Sequence, residues 1–182
     1  METIELSKGY TAQIEIERDE HMGEPWKEHD GHGNVTEWVT RDKRPGERLL
    51  CSDRSQKRFY DYQGAIEKAR AEGWDAPPYS TGTKGEQAVR AVNADFELLR
   101  AWCNDEWYWC GVIVTVCKNG VTIGTDSLWG IESCGDYWQE IGTDMAHGIM
   151  EQDLANRKSA WLGAMKESRE RRACEYRGIA TV

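Results

Sequence analysis

The chain of 182 residues sets 32 acids against 23 lysines and arginines, for a net charge of −9, with 39% hydrophobic and 30% charged residues. That balance excludes nucleic-acid binding driven by phosphate contacts, which needs a basic face, and no apolar run approaches the roughly 20 residues that span a bilayer. The length suits one globular domain better than two. The opening METIELSKGY has neither a basic nor an apolar signal region, so a cytosolic setting is expected. In that setting Cys51, Cys103, Cys110, Cys117, Cys134 and Cys174 are expected as free thiols. Cys103, Cys110 and Cys117 recur every seven residues without the close CxxC spacing of a zinc site, and read as small buried hydrophobes.

In chain order, YTAQIEIER (10–18) alternates apolar and polar positions and predicts a strand. From Asp19 to Pro45 the sequence is rich in Gly, His, Asp and Glu and predicts a long loop with a short strand at Thr36–Thr40. This loop contains WKEHDGHGNVTEW (26–38), the one dense cluster of catalytic residue types. A turn there would bring His29, Asp30 and His32 to a divalent cation, or set them up for acid/base work without a metal. The spacing lacks the helical HExxH step, and a metal would draw on further ligands such as His21, Asp42 or Asp53. The favoured reading is a polar loop held by Trp26 and Trp38, with the histidines bonded to backbone around Gly31 and Gly33. The basic island RDKRPGER (41–48) is expected to pair with carboxylates rather than touch a phosphate.

A short helix is predicted over 62–74, stopping at Gly73, then a loop over 75–85, then a helix over 86–104 with Ala88, Val92, Phe96, Leu99 and Cys103 on one face. The segment 107–125 is aromatic and β-branched, contains the hairpin pair Asn119-Gly120, and has apolar residues on both faces of its first strand, which predicts a central strand. A third strand is predicted over 126–133 and a helix over 136–150, starting near Asp136, with Trp138, Ile141, Met145 and Ile149 inward. A last helix over 151–175 carries Leu154, Trp161, Leu162 and Met165 and becomes fully charged after Lys166. These elements compose an α+β fold: an antiparallel sheet centred on 107–131 with helices packed on it and a long C-terminal helix. Residues 1–150 are expected to form a single α+β domain, with 151–182 as the C-terminal helix and tail of the same domain.

Charge is unevenly spread. From Asn119 to Asn156 there is no Lys or Arg among seven acids, while 157–177 holds seven basic residues and three acids. No GxSxG elbow, GxxxxGK[ST] phosphate loop or GxGxxG motif occurs. His147, in Ala146-His147-Gly148, reads as a surface or satisfied histidine. The nine tryptophans divide between core and recognition surface, since indoles are enriched at binding hot spots.

The strings PWKEHDGHG (25–33), EW (37–38), DKRPGERLL (42–50), DFELLRAWCNDEWYWCGVIV (95–114) and SLWGIES (127–133) resemble an uncharacterised family of small acidic proteins encoded by tailed bacteriophages and prophages. The resemblance covers most of residues 9–150, and the tail from Glu151 falls outside it. It implies a phage-encoded accessory protein in the host cytoplasm that binds and inhibits a host protein, a component of an antiviral defence complex of the CRISPR or restriction type. In that setting Asp126, Glu132, Asp136, Glu140 and Asp144 would dock on a basic nucleic-acid-binding groove, a partial mimicry of DNA, with Trp129 and Trp138 as anchors. No cofactor, direct nucleic-acid contact or membrane contact is expected. The alternative from another class is a metal-dependent hydrolase or nuclease centred on His29, Asp30 and His32, and a third is an assembly protein that self-associates through its tryptophans.

Overall fold

The computed structural model describes residues 1–74 and 81–179. In chain order its main elements are β1 (Glu2–Glu5), β2 (Tyr10–Arg18), α1 (Pro25–Glu28), β3 (Glu47–Asp53), β4 (Gln56–Asp61), α2 (Tyr62–Glu72), α3 (Lys84–Cys103), β5 (Trp109–Lys118), β6 (Val121–Glu132) and α4 (Tyr137–Ile179). The fold is α+β, with antiparallel sheets, several helices and a long C-terminal helix. The chain divides into two compact units, one of Met1–Glu17, Cys110–Ile131 and the chain from Gly135, the other of Arg18–Trp109 with Glu132–Cys134.

The first unit is built on a four-stranded sheet of order β1-β2-β5-β6. In β2 the expected alternation holds: Tyr10, Ala12 and Ile14 are buried while Thr11, Gln13 and Glu15 are exposed. β1, which the sequence pattern does not announce, pairs with it antiparallel so that Glu2 lies opposite Ile14 and Ile4 opposite Ala12. β5 is central, with Cys110, Val112, Val114 and Val116 buried. Asn119 (φ 51°) and Gly120 (φ 80°) both take positive φ, the geometry of the tight hairpin turn whose twist suits two antiparallel strands. β6 is one strand of 12 residues, so the separate strand expected at 126–133 is its second half.

The two helices expected at 136–150 and 151–175 are one continuous helix, α4, of 43 residues. The junction Met150-Glu151-Gln152-Asp153-Leu154 holds neither Gly nor Pro, so nothing ends the backbone ladder there. At about 65 Å, α4 outruns its sheet. Its first half lies close on the strands: a Cβ at Gly142 would sit 2.6 Å from Ile14 Cγ2, and one at Gly124 of β6 would sit 3.0 Å from Ile149 Cγ2. Ala146 and Met150 are buried in the same half.

In the second unit the β3–β4 hairpin packs with α2 and α3 around Leu50, Tyr60, Ala65, Ala69, Val92, Phe96 and Leu99. The helix expected at 86–104 is α3, opened by a capping box in which Thr83 and Glu86 satisfy each other's backbone N–H. α2 ends as expected at Gly73 in the left-handed region (φ 70°). Of the loop expected at 75–85, residues 75–80 lie outside the described residues. The hairpin itself is not anticipated by periodicity, because it turns through Arg54 at φ 52° without a glycine and its register slips between Leu49 and Cys51. The basic island is absorbed here. Arg41 makes two 2.8 Å bonds to Glu47, the Arg44 N–H adds a third, and Lys57 reaches Asp42 at 3.1 Å.

Two outcomes are expected from this packing. Gly142→Ala forces Ile14 to move and lowers stability by about 1–3 kcal/mol. Gly148→Ala, on the same half of α4 but with nothing within 4 Å, raises it by roughly 0.5–1 kcal/mol through helix propensity; urea titration of both variants distinguishes them. Hydrogen bonds from Arg41 hold the Glu47 carboxyl down to about 2, against an ordinary value of 4.5. Its contribution is therefore present above pH 4.5 and lost as pH falls toward 2. Glu47→Gln should cost stability at pH 6 and converge with the wild type near pH 2.

Candidate functional site

The loop WKEHDGHGNVTEW is held at both ends by its tryptophans, through one buried cation on β4. Arg58 is 8% exposed and stands 4.5 Å from the Trp38 ring centroid and 5.1 Å from that of Trp26. It donates a 2.8 Å bond to Glu24, and Lys27 bridges Glu24 and Glu37. Against burial, a backbone hydrogen bond, then Lys27 and the field of Arg58, hold the Glu24 carboxyl below its ordinary range. Behind the loop two isolated bridges, Val35 to Tyr60 and Val39 to Lys57, tie the chain to β4 in place of the short strand expected at 36–40.

Between those ends, His29, Asp30 and His32 turn to separate partners. The His29 ring lies 5.4 Å from Trp109. Asp30 and His32 both give backbone carbonyls to Lys68 Nζ, at 2.8 and 3.1 Å. The His32 imidazole is 2.6 Å from the Asp95 carboxylate, which also accepts the Gly33 N–H at 2.9 Å and the Tyr60 hydroxyl at 2.6 Å. With Asp95 accepting from all three, Nδ1 of His32 carries the proton. Burial, and then Asp95, push the Tyr60 phenol upward, so it remains a donor. A side chain at Gly33 would collide with the Tyr60 ring, which fixes glycine there. The favoured polar-loop reading places the histidines on backbone groups around Gly31 and Gly33; the His32 imidazole instead meets the Asp95 carboxylate, and the alternative, convergence of His29, Asp30 and His32 on a cation, would have to draw that imidazole away from Asp95. Among the described residues no group of three or more His, Cys, Asp or Glu side chains is gathered to hold a metal ion.

The residues expected to meet a partner divide differently. Glu140 and Asp144 are one turn apart and exposed on the outer face of α4, which His147 and Glu151 continue, and the exposed Asp136 stands immediately before the helix. Trp138 is half-buried and falls on the inward face of the helix with Met145 and Ile149. Trp129 is 46% exposed on β6 and covers Gly111, where a Cβ would lie 2.5 Å from the indole. Asp126 lines a groove of ≈ 440 Å³ between β6 and α4, with Ile123, Met145, Ile149 and Asp153. Glu132 belongs to the second unit. Asp153 is bonded by the Tyr10 hydroxyl at 2.5 Å and by Arg157 at 2.6 Å, which hold its carboxyl below the ordinary range.

Beyond Leu154 the side chains of α4 leave the fold. Met150 is buried and Leu154 half-buried; Trp161, Leu162 and Met165 continue the same stripe at helical spacing and are 61%, 52% and 40% exposed. Lys158 lies on the same face between Leu154 and Leu162, Arg169 and Arg172 follow Met165 on it, and all three are exposed. Among the described residues no helix is long and apolar enough to cross a membrane. Sequence periodicity signals the apolar stripe but not its exposure, which depends on where the sheet ends.

Asp95→Ala should cost about 3–5 kcal/mol, since it strands an imidazole, a hydroxyl and a backbone N–H in a buried setting. Tyr60→Phe should cost about 1–2 kcal/mol, and the double variant less than the sum, because both act on one network. Chemical denaturation of the four proteins measures this coupling.

In comparisons with protein-family models, curated proteins and solved structures, nothing matches the chain.

Proposed function

We propose that this chain is a binding protein, which engages another protein through α4. The observation that carries the reading is the apolar stripe of α4, covered at Met150 and bare at Trp161, Leu162 and Met165. Contiguous exposed apolar surface rimmed by charge marks interaction sites, and an amphipathic helix offering anchors at this spacing is a recurrent way to fill a partner's groove. Asp136, immediately before the same helix, and Glu140 and Asp144, on its first half, give the partner a sign: a basic surface. Together with the sequence resemblance, this supports a phage-encoded accessory protein that docks on the basic nucleic-acid-binding groove of a host defence component and blocks it.

Capture from bacterial host lysate by the tagged full chain tests the reading. A partner held at low salt should be released at high salt, because exposed charges are screened beyond about 8–10 Å. Glu140→Lys with Asp144→Lys should weaken retention at least about tenfold, as should Trp161→Ala with Met165→Ala. All four positions are exposed, so circular dichroism should show an intact fold. Retention unchanged in both double variants would overturn the proposal.

A further inference from the structure

The second unit also contains a thiol pair that the binding reading does not use. Cys51 is on β3, directly across the hairpin from Arg58 on β4. Cys103 is the last residue of α3 and packs against the core cluster that contains Leu50, the neighbour of Cys51. Each thiol lies close enough to influence the other's ionisation, and Arg58, opposite Cys51 in the register, influences that of Cys51. Both are half-buried free thiols. Arg58 supplies a second, independent observation. It is nine-tenths buried, Glu24 occupies only its Nη2, and its Nε–H is buried without a hydrogen-bond partner. A fixed guanidinium with a spare buried donor beside a sulfur favours the anionic form of that sulfur.

We propose that Cys51 and Cys103 form a peroxide-reactive dithiol site, in which Cys51 beside Arg58 is the nucleophile and Cys103 the resolving thiol. The Cys51 thiolate attacks one oxygen of a hydroperoxide and the O–O bond breaks. The departing alkoxide or hydroxide takes up a proton, leaving Cys51 as a sulfenic acid. The sulfur of Cys103 then attacks that of Cys51, the hydroxyl leaves with the Cys103 proton as water, and the disulfide closes. Two thiols lose two electrons in all, and the peroxide gains them.

The electrostatics around the pair suit this division of roles. The neighbouring Cys103 thiol, assisted by the charge of Arg58, brings Cys51 down to about 7 against burial. The neighbouring Cys51, burial and the charge of Glu24 push Cys103 up. A nucleophile ionised near neutral pH next to a thiol that keeps its proton is the arrangement of a thiol sensor. The charged groups facing Arg58 are Glu24 at 2.8 Å and Glu37 at 3.9 Å, and both are paired with Lys27 too.

The test uses the reduced full chain treated with hydrogen peroxide near neutral pH and mapped by non-reducing peptide mass spectrometry. The wild type should yield a Cys51–Cys103 cross-linked peptide. Cys103→Ser should instead accumulate a sulfenic acid at Cys51 that dimedone traps, and Cys51→Ser should yield neither product. Before oxidation, Cys51 should react with iodoacetamide at pH 7 about tenfold faster than the exposed Cys174, and Arg58→Met should remove that advantage. A disulfide mapped to other cysteines in the wild type, or Cys51 alkylated no faster than Cys174, overturns the proposal. Both of these readings come from the unmodified chain and do not depend on any variant folding.

Discussion

The second unit is organised around one guanidinium removed from water. Burying a charge is costly unless its field and its donors are met. Around Arg58 this is done by Glu24 and by the faces of Trp26 and Trp38. Glu24 and Trp26 stand just before the histidine loop and Trp38 just after it, so one residue of β4 fixes where the loop leaves the fold and where it returns. Asp95 then fixes its middle by accepting from His32, Gly33 and Tyr60. Residue types associated with catalysis are used here as fasteners, and they sit in a dense cluster because a long loop needs many polar anchors where backbone pairing is sparse. The pairing has one gap, at Arg58 Nε, and Cys51 stands across the hairpin from that residue.

The first unit depends on a different constraint, the closeness of α4 to its sheet. Gly142 and Gly124 are where the helix and the strands approach, and the small residues there let Ile14 and Ile149 seat against backbone. A helix anchored in this way over its first turns can run on without a core beneath it, because its later residues are good helix formers with no proline among them. The cost falls on the side chains, which keep an apolar stripe that the sheet no longer covers.

Much of this was legible in the sequence where the signal is local. The alternation of Tyr10, Ala12 and Ile14, the Asn119-Gly120 turn, the Gly73 stop and the periodic face of α3 all follow from backbone preferences or from period, and each is found as expected. What stayed hidden depends on residues distant in sequence. Asp95 reads as a polar interruption in an apolar helix until His32 and Tyr60 are brought to it across separations of 63 and 35 residues. Cys51 and Cys103 give no motif for the same reason. The β3–β4 hairpin lacks a glycine turn and carries a register slip, so neither of its usual signals is present. The continuity of α4 was concealed because two apolar stripes with different partners look like two helices, although the residues between them contain no breaker.

That continuity also decides what the opposed charges on α4 can do. An acidic stretch followed by a basic one invites the reading that the tail folds back to neutralise its neighbour. A straight helix prevents this: Glu140 and Arg169 are about 44 Å apart along the axis, more than five Debye lengths at physiological salt. The acids at 136, 140 and 144 have no intrahelical counterion among the described residues, since no Lys or Arg occurs between Asn119 and Asn156. Lys158, the basic residue beside Trp161, is nearer, but still about 21 Å along the axis from Asp144. Two charged surfaces of opposite sign, held apart on one rod, are left to be satisfied by solvent ions or by another molecule. The uncovered apolar stripe between them favours another molecule, because ions do nothing for exposed indole and thioether surface.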